Sequence, residues 1–238
     1  MYHYGKNTIK GLVESKAKIE EVFISNTFND KNILNILAKN DIEPIVVSTN
    51  KIESFATGKN HQGIVAKTFE FEYKDIDYII KKTKDKDNST IVILDGLEDP
   101  QNFGNLIRTC EALGVDGIIL PKHRSVKVTP TVAKVSTGAI SSVDIAIVTN
   151  LKQAVTKLKE NGYWIVCAHM DTNTLYDQVD YKGKMALVIG SEGKGVSKSM
   201  LDESDFIVKL PMYGQVSSLN AATSGAIILY QMDSNRRS

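Results

Sequence analysis

The sequence is poor in cysteine: Cys110 and Cys167 are its only two, each inside an apolar pattern. A disulfide-stapled scaffold is excluded, and buried thiols in a reducing compartment fit instead. The four histidines, His3, His61, His123 and His169, show no spacing with cysteine or carboxylate that suits a metal, so no metal is expected. No apolar run approaches the roughly 20 residues that a bilayer span needs, and no signal peptide opens the chain, which predicts a cytoplasmic protein with no membrane partner. An excess of one charge is missing too. The net charge is +1, and the charges are evenly spread, with nine basic and nine acidic residues through Glu72. Bulk charge therefore gives no support to nucleic-acid binding, and any such surface must be a local patch.

What is present suits an α/β protein. At 238 residues and 42% hydrophobic, the chain can bury a real core in one large or two smaller domains. Residues 1–72 alternate helix and strand. Ile9, Leu12 and Val13 recur at helical spacing, Val22-Phe23-Ile24 is a short strand, and Ile33, Ile36 and Leu37 mark the next helix. Ile45-Val46-Val47 and the segment from Gly63 to Phe71 read as further strands. The Asn60-His61-Gln62-Gly63 turn between them is open to a functional reading or to plain turn chemistry. Residues 73–89 read as a linker: Ile76, Ile79 and Ile80 could make one amphipathic helix, but Lys81 to Asn88 is nearly all charged. From residue 90 to 238 strands recur at Ile91-Val92-Ile93-Leu94, Gly117 to Leu120, Val143 to Val148, Tyr163 to Ala168, Ala186 to Ile189 and Phe206 to Leu210. Helix-length segments mostly separate them. The uninterrupted apolar runs favour a parallel sheet buried on both faces, a doubly wound α/β domain.

Two of these strands feed polar, glycine-marked turns, which predicts a ligand pocket at the carboxyl edge of the sheet. Gly190-Ser191-Glu192-Gly193-Lys194-Gly195 lacks the Gly-Lys-Ser/Thr ending of a phosphate-gripping loop and fails the dinucleotide fingerprint at Lys198. Glu192 also repels phosphate, so a ligand without phosphates, and one able to carry positive charge, fits better. Other polar residues are ambiguous singly. Arg108 lies off the apolar stripe of its helix and reads first as a solvated surface residue. Asn102 could cap the start of that helix, and Ser218 and Asn220 could cap the last one. Lys122, His123, Arg124, Lys127 and Lys134 gather positive charge around one strand-to-helix connection, either a solvated face or the best local patch for phosphates.

Taken together, Asp99-Pro100-Gln101-Asn102-Phe103-Gly104-Asn105-Leu106-Ile107-Arg108-Thr109, then Ile189-Gly190-Ser191-Glu192-Gly193, then Leu210-Pro211-Met212 with Ser217-Ser218-Leu219-Asn220 resemble the three motifs of SpoU-type RNA ribose 2'-O-methyltransferases, of the SPOUT superfamily. Ser136-Thr137-Gly138-Ala139 and Tyr4-Gly5-Lys6-Asn7 extend the likeness over nearly the whole chain. It is greatest to the branch that methylates a guanosine of large-subunit ribosomal RNA. A departure is Ala221-Ala222-Thr223, where the family often has valine and serine.

The resemblance implies a ribosomal-protein-like RNA-binding domain over residues 1–72. It also implies a methyltransferase domain whose C-terminal segment is threaded into a trefoil knot, a rare topology. The knot would form the S-adenosylmethionine site, with Gly190, Leu210 and Leu219 contacting the cofactor, and the surface of a homodimer. Arg108 would be the central catalytic residue, with Asn102, Glu192, Ser218 and Asn220 orienting it and the ribose. A free guanidinium holds its proton to above about pH 12, so Arg108 is expected to grip a phosphate and stabilise the developing alkoxide rather than act as a base. The RNA target stays open among large-subunit rRNA, tRNA and a resistance-type ribosomal site, as does a non-catalytic RNA-binding assembly factor of the same fold.

Overall fold

The computed structural model describes residues 2–14, 19–69, 71–216 and 218–237. Glu70 and Ser217, which fall within segments read above, lie outside the described residues. The chain divides into two compact units between Phe71 and Glu72.

The first unit runs β1 (Tyr2–Tyr4), α1 (Lys6–Glu14), β2 (Ile19–Ser25), α2 (Lys31–Lys39), β3 (Ile45–Val47), α3 (Thr49–Phe55) and β4 (Ile64–Thr68). Its sheet has the order β1-β4-β2-β3, with β2 and β3 parallel and the other pairs antiparallel. Strand alternation in β2 sends Val22 and Ile24 to one face, under Ile9, Val13, Ile33 and Leu37 of α1 and α2. Phe23 points to the other face, where it meets Ile52 of α3 and Val65. The periodicity did not reveal α3, whose signal is Ser48: its Oγ accepts a 3.3 Å bond from Lys51 N as an N-cap. The Asn60–Gly63 turn places Gln62 and Gly63 at positive φ, and Gln62 Oε1 accepts from Lys6 N at 2.9 Å, which ties the turn to the start of α1.

The second unit is built on α4 (Ile76–Lys82), β5 (Ser89–Asp95), α5 (Pro100–Ala112), β6 (Gly117–Pro121), α6 (Pro130–Val135), β7 (Ile145–Val148), α7 (Leu151–Glu160), β8 (Tyr163–Ala168), β9 (Lys184–Gly190), α8 (Lys198–Asp202), β10 (Phe206–Val208) and α9 (Ala221–Arg237). All its strand pairs are parallel, in the order β10-β8-β9-β5-β6-β7. Ile91 to Leu94 are fully buried in the middle of this sheet, as continuous apolar runs require. The α/β class with a parallel-sheet domain stands.

The linker expected over residues 73–89 is instead part of this unit. Ile76, Ile79 and Ile80 of α4 enter the core formed by Ile91, Ile93, Ile119 and Ile165. The charged stretch after them is also anchored. Lys82 binds Asp144 at 2.7 Å, and Lys86 pairs with the buried Asp116, which also accepts from Ser89 Oγ at 2.6 Å. Asp116, Asp144 and Asp205 each lie just before a strand, so these pairs hold the amino edge of the sheet. Arg236 of α9 docks on the same edge, donating to Thr90 Oγ1, Ser89 O and Gly183 O at 2.6, 2.9 and 3.1 Å. Burial lowers its pKa.

Beyond β10 the chain is laced to the connection between β8 and β9. Lys209 N donates to Thr174 O and Tyr176 N to Lys209 O, both at 3.0 Å. The chain then returns to the centre of the sheet, where Gly225 of α9 packs against Ile189 and Leu106. A Cβ there would lie 2.5 Å from Ile189 Cδ1 and 3.2 Å from Leu106 Cδ1, so a larger residue would force those side-chain ends to shift.

Candidate active site

The site begins with the turn that ends β9. Ser191 N donates to Gly195 O at 3.1 Å and Gly195 N to Ser191 O at 3.0 Å, closing a small loop with Glu192 exposed at its tip. A Cβ on Gly190 would fall 2.1 Å from the carbonyl carbon of Gly195, so the loop folds back on a backbone that only glycine permits. Asp95, at the end of β5, accepts from Ser197 N at 2.7 Å and fixes where the chain leaves the loop.

This turn forms one wall of a cavity of about 560 Å³ at the carboxyl edge of β8, β9 and β10. Ile189, Val208, Leu210, Leu219 and Met170 give it apolar walls, while Glu192, Ser218 and Lys209 supply polar ones. Gly190, Leu210 and Leu219, expected at one ligand, therefore share one cavity with Glu192 and Ser218.

Asn102 and Asn220 join that cavity's rim through a hydrogen-bonded chain. Asn220 Oδ1 accepts from Ala222 N and Thr223 N at 2.9 and 3.3 Å, capping α9. Its amide nitrogen must then face outward, and it donates to Asn102 Oδ1 at 2.8 Å. Asn102 is left with its own amide nitrogen pointing at Glu192, to whose Oε1 it donates. The backbone N–H groups thus set both amide orientations in turn. Asn102 is not the helix cap that its position allowed: Asp99 takes that role, accepting from Gln101 N at 3.0 Å and Asn102 N at 3.4 Å.

The structure does not bring Arg108 into this group. It is exposed and lines a second cavity with Asn105, Thr109, Thr137, Gly138 and Tyr230. Gly104, on the buried side of α5, lets Val135 of α6 approach so closely that a Cβ would lie 2.6 Å from it. That packing brings the Ser136–Ala139 stretch beside Arg108. Asp95 carries no sequence signal beyond its position at the end of a strand, whereas Thr137 falls in the Ser136–Ala139 stretch that shares the family likeness. Both cysteines are buried, and burial raises both thiol pKa values, that of Cys167 to about 12. They are inert core residues.

A parallel α/β domain with a loop-walled cavity at its carboxyl edge, preceded by a separate small α/β unit, defines a two-unit ligand-binding protein of enzyme type. Comparison with known proteins narrows the class. The SpoU rRNA Methylase family profile matches residues 89–230, and the profile for RNA 2'-O ribose methyltransferase substrate binding matches residues 2–74. A Staphylococcus haemolyticus protein, provisionally named as a TrmH family tRNA/rRNA methyltransferase, is 42% identical over 232 residues, covering 96% of this chain and 93% of its own. The fold matches the SpoU methyltransferase AviRb of Streptomyces viridochromogenes in complex with the cofactor AdoMet, with a TM-score of 0.64 at 23% identity over 100% of this chain and 90% of that one. It also matches the A. aeolicus TrmH/SpoU tRNA modifying enzyme, with a TM-score of 0.58 at 28% identity over 68% of this chain and 84% of that one. The chain belongs to the SpoU family of RNA methyltransferases.

Proposed function

We propose that this protein methylates a ribose 2'-hydroxyl of RNA, using S-adenosylmethionine held in the cavity beside Glu192, and that its target is a guanosine of large-subunit ribosomal RNA. The observation that carries the reading is the Asn220–Asn102–Glu192 hydrogen-bonded chain at the rim of that cavity. It joins all three family motifs in one arrangement. The cavity suits the cofactor. Its apolar walls accept an adenine, Glu192 complements a sulfonium, and the turn lacks a phosphate-gripping motif. We assign Gly190, Leu210 and Leu219 to cofactor contact, and Asn102, Glu192, Ser218 and Asn220 to the orientation of the reacting groups.

S-adenosylmethionine, when bound, would supply an electrophilic methyl for the 2'-oxygen, its sulfur leaving as the neutral thioether and the hydroxyl proton passing to water. The protein's task is alignment, since a direct displacement needs reacting atoms held roughly 3–3.5 Å apart and in line. Asn102 holds Glu192 in place at the rim. Arg108 supplies positive charge for a phosphate of the RNA and for the oxygen that becomes anionic. Because Arg108 lines another cavity, we infer that a homodimer completes the site. The exposed Tyr213, Val216, Leu219 and Tyr230 favour such a contact on the face of residues 211–230. We also propose that this segment is threaded as a trefoil knot. The lacing of Lys209 to residues 174–176, followed by the return of α9 to the centre of the sheet, supports it. Residues 2–71 serve as the RNA-binding unit.

Arg108→Ala is expected to abolish transfer of labelled methyl to RNA from a strain lacking this protein, while calorimetric binding of S-adenosylmethionine persists. Wild-type turnover in that variant would refute the role of Arg108. Mapping ribose methylation in ribosomal and transfer RNA of the same strain decides the target.

A further inference from the structure

The even charge of the sequence conceals an asymmetry in the second unit. At the amino edge of its sheet, the acids that precede β6, β7 and β10 are each matched to a lysine: Asp116 to Lys86, Asp144 to Lys82 and Asp205 to Lys159. On the helices, Lys152 pairs with Glu203, and Lys157 with Asp77. The carboxyl edge is arranged differently. Its acids Asp95, Asp99 and Glu192 are engaged by N–H groups rather than by lysines. The connection from β6 to α6 carries Lys122, His123, Arg124 and Lys127, with Lys134 on α6 itself. All five are exposed, and among the described residues none has a carboxylate within ion-pair distance. Glu98 in the β5–α5 connection, and Asp171 and Asp177 in the β8–β9 connection, are further exposed acids on the segments that leave this edge.

The connection is also held in place. Val126 N donates to Leu97 O at 2.7 Å, and Val128 N to the Tyr73 hydroxyl at 2.8 Å, while Val126 and Val128 are buried. Lys127 therefore stands between two anchored valines, and the Lys122-His123-Arg124 run is tied at its start, where Lys122 N donates to Val148 O at 2.8 Å. Arg124 sits at φ 53, left-handed backbone that an arginine adopts only where its surroundings impose it. The bond from Val126 to Leu97 ties this basic ridge to the connection between β5 and α5. The ridge continues through α6, where Val135 packs on Gly104, to Thr137 and Gly138 beside Arg108. Unpaired positive charge thus leads along one side of α5 toward the cation assigned to the chemistry.

We propose that this ridge, Lys122, Arg124, Lys127 and Lys134, binds the phosphodiester backbone of the RNA that flanks the target nucleotide. The proposal rests on the RNA-methyltransferase reading and adds to it a second binding surface, in the methyltransferase unit itself. Fixed cations without acid partners suit phosphates. They bind through charge and make affinity fall with salt, by about 0.7 in logarithmic slope for each phosphate on a single strand.

The test uses the full-length protein and a fluorescein-labelled single-stranded RNA oligonucleotide of mixed sequence, with binding read by anisotropy across a salt titration. The variant combines Lys122→Gln, Arg124→Asn and Lys127→Gln, asparagine being chosen because it tolerates the left-handed backbone at 124. Its affinity is expected to fall about tenfold or more at low salt, and its salt slope by about 2. A matched control, Lys152→Gln with Lys157→Gln, removes paired lysines and is expected to bind like the wild type. Equal loss in both proteins, or no loss in the ridge variant, would overturn the proposal. If the triple variant melts early, Lys122→Gln and Lys127→Gln singly carry the same test, each lowering the slope by about 0.7. Methyl transfer is measured in parallel on ribosomal and transfer RNA from a strain lacking this protein. Ridge-dependent binding without transfer by the wild type would support this surface while refuting the methyltransferase reading.

Discussion

Three glycines in one short turn should respond differently to the same added methyl group. On Gly190 a Cβ would sit 2.1 Å from Gly195 C, 2.2 Å from Val196 N and 2.3 Å from Gly195 O. All three are main-chain atoms, so no side-chain rotation relieves the overlap. The loop must open, which breaks the two bonds between Ser191 and Gly195. Two backbone bonds at about 0.5–1.5 kcal/mol each, with about 1–3 kcal/mol of overpacking, put the cost of Gly190→Ala at about 2–6 kcal/mol. For a unit of this size that lowers the melting temperature by on the order of 10 °C. Gly195→Ala has room, its nearest atom being His169 Cδ2 at 3.8 Å, but the position has φ +67. It should cost about 1–2 kcal/mol for the left-handed backbone alone. Gly193→Ala meets nothing within 4 Å and has no positive φ, so it should stay within about 0.5 kcal/mol of wild type. Thermal melts give the stability order, and calorimetric titration with S-adenosylmethionine should give the same order in affinity, since this backbone walls the cavity. Wild-type melting of Gly190→Ala, or equal effects at 190 and 193, would refute the reasoning.

The hydrogen-bonded rim gives another test. Asn102→Ala removes the amide that Glu192 accepts from; a hydrogen bond to a charged group contributes about 1.5–3 kcal/mol, so kcat should fall about 10- to 100-fold with a smaller change in cofactor affinity. Single-turnover methyl transfer with the RNA saturating checks it, and an unchanged rate would remove Asn102 from the chemistry. At the opposite edge, Arg236→Met removes the guanidinium from Thr90 Oγ1 and Ser89 O, while Gly183 O keeps the bond from Ser89 N. It should lower stability by about 1–3 kcal/mol, read from the urea midpoint, while cofactor affinity in the folded protein is kept. An unchanged midpoint would show that this anchor contributes nothing.

The larger sheet was legible in the sequence for a physical reason. Strands buried on both faces, such as Ile91 to Leu94, must be apolar without interruption, and such runs stand out against their polar turns. Residues 73–89 misled because Ile76, Ile79 and Ile80 are few and the charges after them many. The acids that neutralise Lys82 and Lys86 lie 62 and 30 residues away, beyond the reach of any local pattern. The same distance hid the rim. Asn102 is separated from Glu192 by 90 residues and from Asn220 by 118. Singly Asn102 and Asn220 read as caps and Glu192 as part of a ligand loop, and only the ordered motifs of a family placed them together. The capping expectation for Asn220 was also right, because its Oδ1 caps α9 while its Nδ2 serves the rim. One side chain fills both roles, so the choice between them was not a real one.

Arg108 resists that unification for a reason built into α5. Asn102 and Arg108 stand on the same rigid helix, about 9 Å apart along its axis and about 120° apart around it. The start of the helix is fixed by the Asp99 cap and Pro100, and its flank by Val135 against Gly104. Side-chain freedom alone therefore does not bring the guanidinium and the Glu192 cavity to one ribose. Something must span the corner of α5. RNA arriving along the basic ridge would reach Arg108 first, and a second copy of the chain, docked on the exposed apolar face of residues 211–230, could offer its own cavity there. On this argument the proposed dimer and the proposed ridge would answer a single geometric requirement, one supplying the methyl donor and the other the strand that receives it.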